Sequence, residues 1–138
     1  MIEITNKIMI EITDKYIKDG KLDKEALAAL GSNVVEIEGD EIIFKSDVKF
    51  EYCYYLTTAN DVTFNGDSNF IFCISLFSAN GATFNGNVNF LYCNRLTSVS
   101  GATFNGNVEF FSCNSLASVA DATFKKGFRA LSCPNLKQ

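Results

Sequence analysis

"GATFNGNVNFLYCNRLTSVS" occupies residues 81–100, and "GATFNGNVEFFSCNSLASVA" follows it at residues 101–120. Fourteen of the twenty positions are identical. The period runs well beyond this pair. Cysteine recurs at Cys53, Cys73, Cys93, Cys113 and Cys133, and leucine at Leu56, Leu76, Leu96, Leu116 and Leu136. Phenylalanine recurs at Phe44, Phe64, Phe84, Phe104 and Phe124, with a further column at Phe50, Phe70, Phe90 and Phe110 that Ala130 continues. Columns that stay in step without an insertion mark a solenoid, in which each repeat is one coil stacked on the last.

Each coil reads A-x-F, then V-x-F, then C-x-x-L-x-S-V. Alternation over three to five positions predicts very short strands, and no stretch from Glu41 onward keeps a helical period. Stacked coils set equivalent strands side by side, about 4.8 Å apart, as parallel ribbons. The "FNG" of Phe64-Asn65-Gly66 and its two copies is predicted to turn a corner, because Asn and Gly accept positive φ. The repeated Phe, Leu and Cys side chains are expected to face the core. The cysteine column is read as reduced packing thiols, although neighbouring coils are near enough for a disulfide. One thiolate per coil in a straight line cannot wrap a tetrahedral zinc.

The 138 residues suit one compact domain, read as an N-terminal helical cap (1–31) and a mainly β solenoid of about five coils (32–138). In the cap, "DKEALAAL" (23–30) is expected to be a helix with Asp23 as N-cap and Gly31 as its stop. Ile4, Ile8, Ile12 and Tyr16 fall on one face of an earlier helix ended by Lys18-Asp19-Gly20, although "KIMIEIT" also alternates as a strand would. "NVVEIEGDEIIF" reads as two strands around Gly39-Asp40, a degenerate first coil.

Charge is uneven along the chain. The total is −4, but residues 36–67 hold eight acids (Glu36, Glu38, Asp40, Glu41, Asp47, Glu51, Asp61, Asp67) against Lys45 and Lys49. After Asp121 only bases occur: Lys125, Lys126, Arg129 and Lys137. The acidic block disfavours direct contact with nucleic acid and suits a basic protein surface. The chain contains no histidine, no serine nucleophile elbow and no glycine-rich phosphate loop, so catalysis and a cofactor are not expected. No apolar run reaches the length of a membrane span, and the N-terminus lacks a signal-peptide pattern, so a cytoplasmic site of action is expected.

Positions that vary from coil to coil are the candidates for binding. Tyr52, Phe72 and Tyr92 form an outward column that becomes Ser112 and Ser132; Tyr54, Tyr55 and Phe77 lie beside it. Aromatic side chains are the usual anchors of protein interfaces. The alternative is that residues 1–31 fold back and cover them. The basic last repeat is read as a soluble cap on a monomer, with an end-to-end dimer contact as the other reading.

Cys93, Leu96, Val99, Ala102 and Phe104, with their equivalents in adjacent coils, resemble the short leucine-rich repeat of BspA-like proteins. That likeness implies leucine-rich coils from about Glu41 onward. The competing architecture is the right-handed β-helix of pentapeptide repeats, which "ATF" fits but the six-residue step from Phe84 to Phe90 does not. As a whole the chain resembles small phage-encoded anti-CRISPR proteins, of the kind acting on type I-C systems. That resemblance implies an inhibitor of the host-cell cytoplasm that binds a Cascade-type effector subunit and blocks access to DNA. A leucine-rich surface, adhesion or general interaction module is the alternative.

Overall fold

The alternation in Val48-Lys49-Phe50-Glu51 buries Val48 and Phe50 completely and leaves Lys49 and Glu51 half exposed. One coil later Asn69 and Phe70 lie in register with Lys49 and Phe50, and one coil further Asn89 and Phe90 continue the rows. This is the arrangement that a period of twenty demands of stacked parallel strands. A computed structural model of the protein describes residues 8–137. Its N-terminal part comprises β1 (Ile10–Ile12), a 3-10 turn (Asp14–Tyr16), β2 (Ile17–Lys18), β3 (Lys21–Leu22), α1 (Lys24–Ala28), β4 (Val35–Glu38) and β5 (Glu41–Phe44). The repeats supply β6 (Val48–Glu51), β7 (Thr63–Phe64), β8 (Ser68–Ile71), β9 (Thr83–Phe84) and β10 (Val88–Leu91). They continue with β11 (Thr103–Phe104), β12 (Val108–Phe111), β13 (Thr123–Phe124) and β14 (Arg129–Leu131).

The result is a mainly β solenoid of about four turns with little helix. Four full periods separate the first and last members of each five-membered column, and the last members lie in an incomplete fifth coil. One six-stranded sheet runs β1-β6-β8-β10-β12-β14, all parallel. The other runs β13-β11-β9-β7-β5-β4, with only β4 antiparallel to its neighbour. A third side is stitched by parallel bridges from Thr58 to Ser78 and from Ser78 to Ser98.

The core between these sides is a pair of phenylalanine ladders. Phe50, Phe70 and Phe90 stack with centroids 4.7 and 5.1 Å apart, and Phe64, Phe84 and Phe104 with 4.8 and 4.9 Å. The two ladders meet edge to face, as in Phe64 against Phe70 at 81°, so ring edges meet ring faces between the stacks. Leu76, Leu96, Leu116 and the first four cysteines are fully buried beside them.

The corners differ from the sequence expectation. Gly66, Gly86 and Gly106 do not adopt positive φ. Their role is close approach: a Cβ on Gly86 would stand 2.6 Å from the carbonyl carbon of Gly66 and strike its oxygen. Left-handed corners fall instead at the residue before each cysteine, at φ of 57° for Tyr52, 53° for Phe72, 58° for Tyr92 and 54° for Ser112, and in a second column at Asp61, Gly81 and Gly101. Each of their N–H groups still donates to the next coil, for instance Tyr92 to the Phe111 carbonyl at 2.8 Å.

The cap is also mostly β. The expected helix through Ile8, Ile12 and Tyr16 does not form; Ile4, its first member, lies outside the described residues. The bare edge of β6 presents unpaired N–H and C=O groups, and "IEI" answers them as β1, with Ile10 opposite Val48 and Ile12 opposite Phe50. Asp19 and Gly20, both at positive φ, turn the β2–β3 hairpin rather than end a helix. The Gly20 carbonyl then accepts from Thr57 N–H at 2.8 Å, starting the third side. Only α1 is α-helical among the described residues. Asp23 caps it by accepting from Glu25 N–H at 3.1 Å, and its Leu27 is fully buried.

A candidate protein-interaction surface

Because the left-handed corner follows each long strand, Tyr52, Phe72 and Tyr92 point away from the core. Their rings stack on one another nearly parallel, at 5.5 and 4.6 Å. Tyr54 meets Tyr52 edge-on at 6.1 Å and Phe111 meets Tyr92 at 5.2 Å, so the outer ladder is continuous across four coils. Tyr55 is 71% exposed, Phe77 55% and Tyr52 50%; Tyr54, Tyr92 and Ile74 are exposed as well, and Phe72 is half buried between its neighbours. The described part of the N-terminal segment docks beneath this patch without covering it. The Asp14 carboxylate accepts from the backbone N–H groups of Tyr54 and Tyr55, both at 3.2 Å, and leaves the rings in solvent. Phe77 shares a shallow groove with Thr57, Ser75, Arg95, Thr97 and Ser115.

The eight acids do not form one face. Glu36 and Glu38 on β4, Asp40 in the turn and Glu41 on β5 gather on the antiparallel hairpin and are all exposed. Lys24 donates to Asp40 at 2.9 Å, and that bond and charge hold the Asp40 carboxyl below the usual carboxylate range. Asp61, at a left-handed corner, lines a cleft with Asp40, Lys21 and Lys24. Glu51 is half buried, 3.6 Å from Lys49. Asp47 and Asp67 join the stack itself: the Asp47 carboxylate accepts from Asp67 N–H at 2.6 Å, Asp67 from Asn87 N–H at 2.8 Å, and Asn87 from Asn107 N–H at 2.9 Å. In one column, acid and amide therefore do the same structural job. The spacing of Asp47, Asp67, Asn87 and Asn107 carried that signal in the sequence.

The cysteines are free thiols. Each Sγ–H donates to a carbonyl of the preceding coil, as in Cys73 to Phe50 at 3.4 Å and Cys93 to Phe70 at 3.4 Å; Cys53 reaches the Ile12 carbonyl at 3.1 Å. Burial pushes the Cys113 thiol up to about 12. The hydrogen bond with Cys73, followed by burial, pushes Cys53 up as well. These sulfurs pack in the core and hydrogen-bond to backbone carbonyls. Among the described residues, no group of three or more His, Cys, Asp or Glu is placed to hold a metal ion, and no helix is long and apolar enough to cross a membrane.

Fold and surface together define a β-solenoid repeat protein with a repetitive core and a non-repetitive aromatic exterior. Neither a protein-family profile, nor a curated protein, nor a solved structure matches the chain.

Proposed function

We propose that this solenoid is a binding protein that inhibits its partner by surface contact, and that the partner is a DNA-handling effector complex of the Cascade type, which makes the chain an anti-CRISPR inhibitor. The observation that carries this reading is the exposed aromatic ladder Tyr52–Phe72–Tyr92 with Tyr55 and Phe77 beside it. Three of these rings are stacked face to face, so a partner can bury them with little loss of side-chain freedom, and Tyr55 and Phe77 stand exposed beside them. The acidic β4–β5 hairpin adds a second contact, suited to a basic DNA-binding surface and competing with phosphates there. The finer assignment of the coils to BspA-like leucine-rich repeats belongs to this proposal and is supported by the buried Cys93, Leu96, Ala102 and Phe104. The free thiols fit a reducing cytoplasm.

The test is a DNA mobility shift with a purified type I-C effector complex incubated with the full chain. The expected result is loss of the shifted DNA, relieved by rising salt. Tyr55→Ala with Phe77→Ala is expected to restore DNA binding, and Glu38→Lys with Asp40→Lys and Glu41→Lys to weaken inhibition at low salt. DNA binding that is unchanged at a large excess of the protein would overturn the proposal.

A further inference from the structure

The tetrapeptide Thr-Phe-Asn-Gly occurs at residues 63–66, 83–86 and 103–106, and Asn80-Gly81 is a further Asn-Gly step. In such a step the backbone can attack the side chain. Glycine has no Cβ to shield its nitrogen, and the chain itself holds that nitrogen close to the asparagine Cγ. The three tetrapeptides share one local sequence, so a difference in their reactivity must come from the stack.

Their side-chain amides form a ladder. Asn85 Nδ2 donates to Asn65 Oδ1 at 2.8 Å, and Asn105 Nδ2 to Asn85 Oδ1 at 2.7 Å. The amide nitrogen is also the leaving group of the attack, so Asn85 and Asn105 must break a hydrogen bond to lose it. Asn65 Nδ2 makes none among the described residues, and its side chain is exposed. Asn65 Oδ1 accepts from Asn85, which stabilises the negative charge that grows there as the nitrogen adds to Cγ. Asn105 Oδ1 is buried without a partner among the described residues. Gly66 N–H donates to no backbone group among the described residues. At Asn80 both reacting groups are held. Gly81 N–H donates to the Ser100 carbonyl at 2.9 Å, and Asn80 Oδ1 accepts from Ser98 Oγ at 2.6 Å and Ser100 N–H at 2.8 Å.

We propose that Asn65 is a site of spontaneous deamidation, where the folded chain turns an amide into a carboxylate ahead of the other Asn-Gly steps. The Gly66 nitrogen gives its proton to solvent and bonds to Asn65 Cγ. The Cγ–Nδ2 bond breaks and ammonia leaves, taking a proton from solvent. Water then opens the cyclic imide at either carbonyl to give aspartate or isoaspartate. An aspartate here keeps the ladder, because Asn65 serves it only as an acceptor. The neighbouring column shows the same exchange in the sequence, where Asp47 and Asp67 accept as Asn87 does. One period before Asn65 stands the exposed Lys45, a cation for the new charge. The reaction uses no partner, so it stands apart from the inhibitor reading.

The full chain, held folded in mildly alkaline buffer and digested at intervals in acid, tests it by peptide mass spectrometry. The acid form is expected at Asn65 about fivefold faster than at Asn85 or Asn105, the factor that one broken hydrogen bond is worth. In denaturant the three identical tetrapeptides are expected to react alike. Asn65→Asp is expected to leave the denaturant midpoint unchanged and Asn85→Asp to lower it, since only the second removes a ladder donor. Equal rates at the three steps in the folded chain, Asn85 or Asn105 reacting first, or equal losses of stability in the two variants would each overturn the proposal.

Discussion

Leu27 and Leu136 sit at opposite ends of one core, and only Leu27 is sealed from water. At the N-terminal end a different segment closes each side: β1 the all-parallel sheet, β4 the other sheet, and the Gly20 carbonyl the third side. At the C-terminal end no described strand lies beyond β13 and β14, and Phe128 is laid against Phe124 at 4.8 Å. The difference teaches that a repeat cannot cap itself. Each coil is built to be covered by another coil, so closure needs sequence that departs from the period.

The cysteine ladder offers the strongest test of this contrast. Cys53 is covered by β1 and Cys73, Cys93 and Cys113 by later coils, while Cys133 is partly exposed. Under native conditions a thiol reagent is expected to modify Cys133 rapidly and the other four at least about a thousandfold more slowly, at the rate set by opening of the fold. Comparable labelling of Cys53 would mean that the N-terminal end is not sealed. The same ladder sets a pH dependence. An exposed thiol ionises near 9 and Cys113 only at about 12, so the unfolded chain releases its proton first. Stability is therefore expected to be full below pH 9 and to fall as pH rises toward 12, as denaturant midpoints at several pH values would report.

Truncating the two leucines gives the next largest effect. Leu27→Ala is expected to lower the unfolding free energy by about 2–5 kcal/mol, and Leu136→Ala by less than about 1.5 kcal/mol because that side chain already meets water. Equal losses in denaturant titrations would erase the distinction between the ends. Gly86→Ala drives a Cβ into the Gly66 backbone and is expected to destabilise by about 1–3 kcal/mol. Its counterpart at the open end is Lys126, and Lys126→Ala should change stability by no more than about 0.5 kcal/mol.

The smallest effect has the opposite sign. Ser68 sits in an inward column between Val48 and Val88, and its hydroxyl is buried without a partner among the described residues. Ser68→Val is expected to raise the melting temperature, with a gain of about 1 kcal/mol. A loss of stability would show that the hydroxyl is satisfied in solution.

How much of this was legible depends on the range of the interaction. Phe64, Phe84 and Phe104 were readable as an inward ladder because a fixed period forces equivalent residues into contact. The helix of "DKEALAAL" was readable because its cap at Asp23 lies two residues from the N–H it satisfies. Strand β1 was not readable as such, since what decides between helix and strand there is the edge of β6, 38 residues away in register. The glycine of "FNG" was correctly marked as special but for the wrong reason, because collision with the previous coil is a tertiary fact. For the candidate site, the variable aromatic column was visible as a departure from the period. Its exposure was not, because that depended on where the N-terminal segment lay.

The sequence alone determined the coil length, the parallel stacking and the identity of the core columns. Each follows from strict repetition, which leaves every coil only one way to match its neighbour. Tertiary structure alone decided which end is closed, that the eight acids divide among a hairpin, a cleft and a backbone-binding column, and that the tyrosines before the cysteines stand in solvent at left-handed corners. Those outcomes depend on contacts between segments that share no period, and no local pattern encodes which of them will meet.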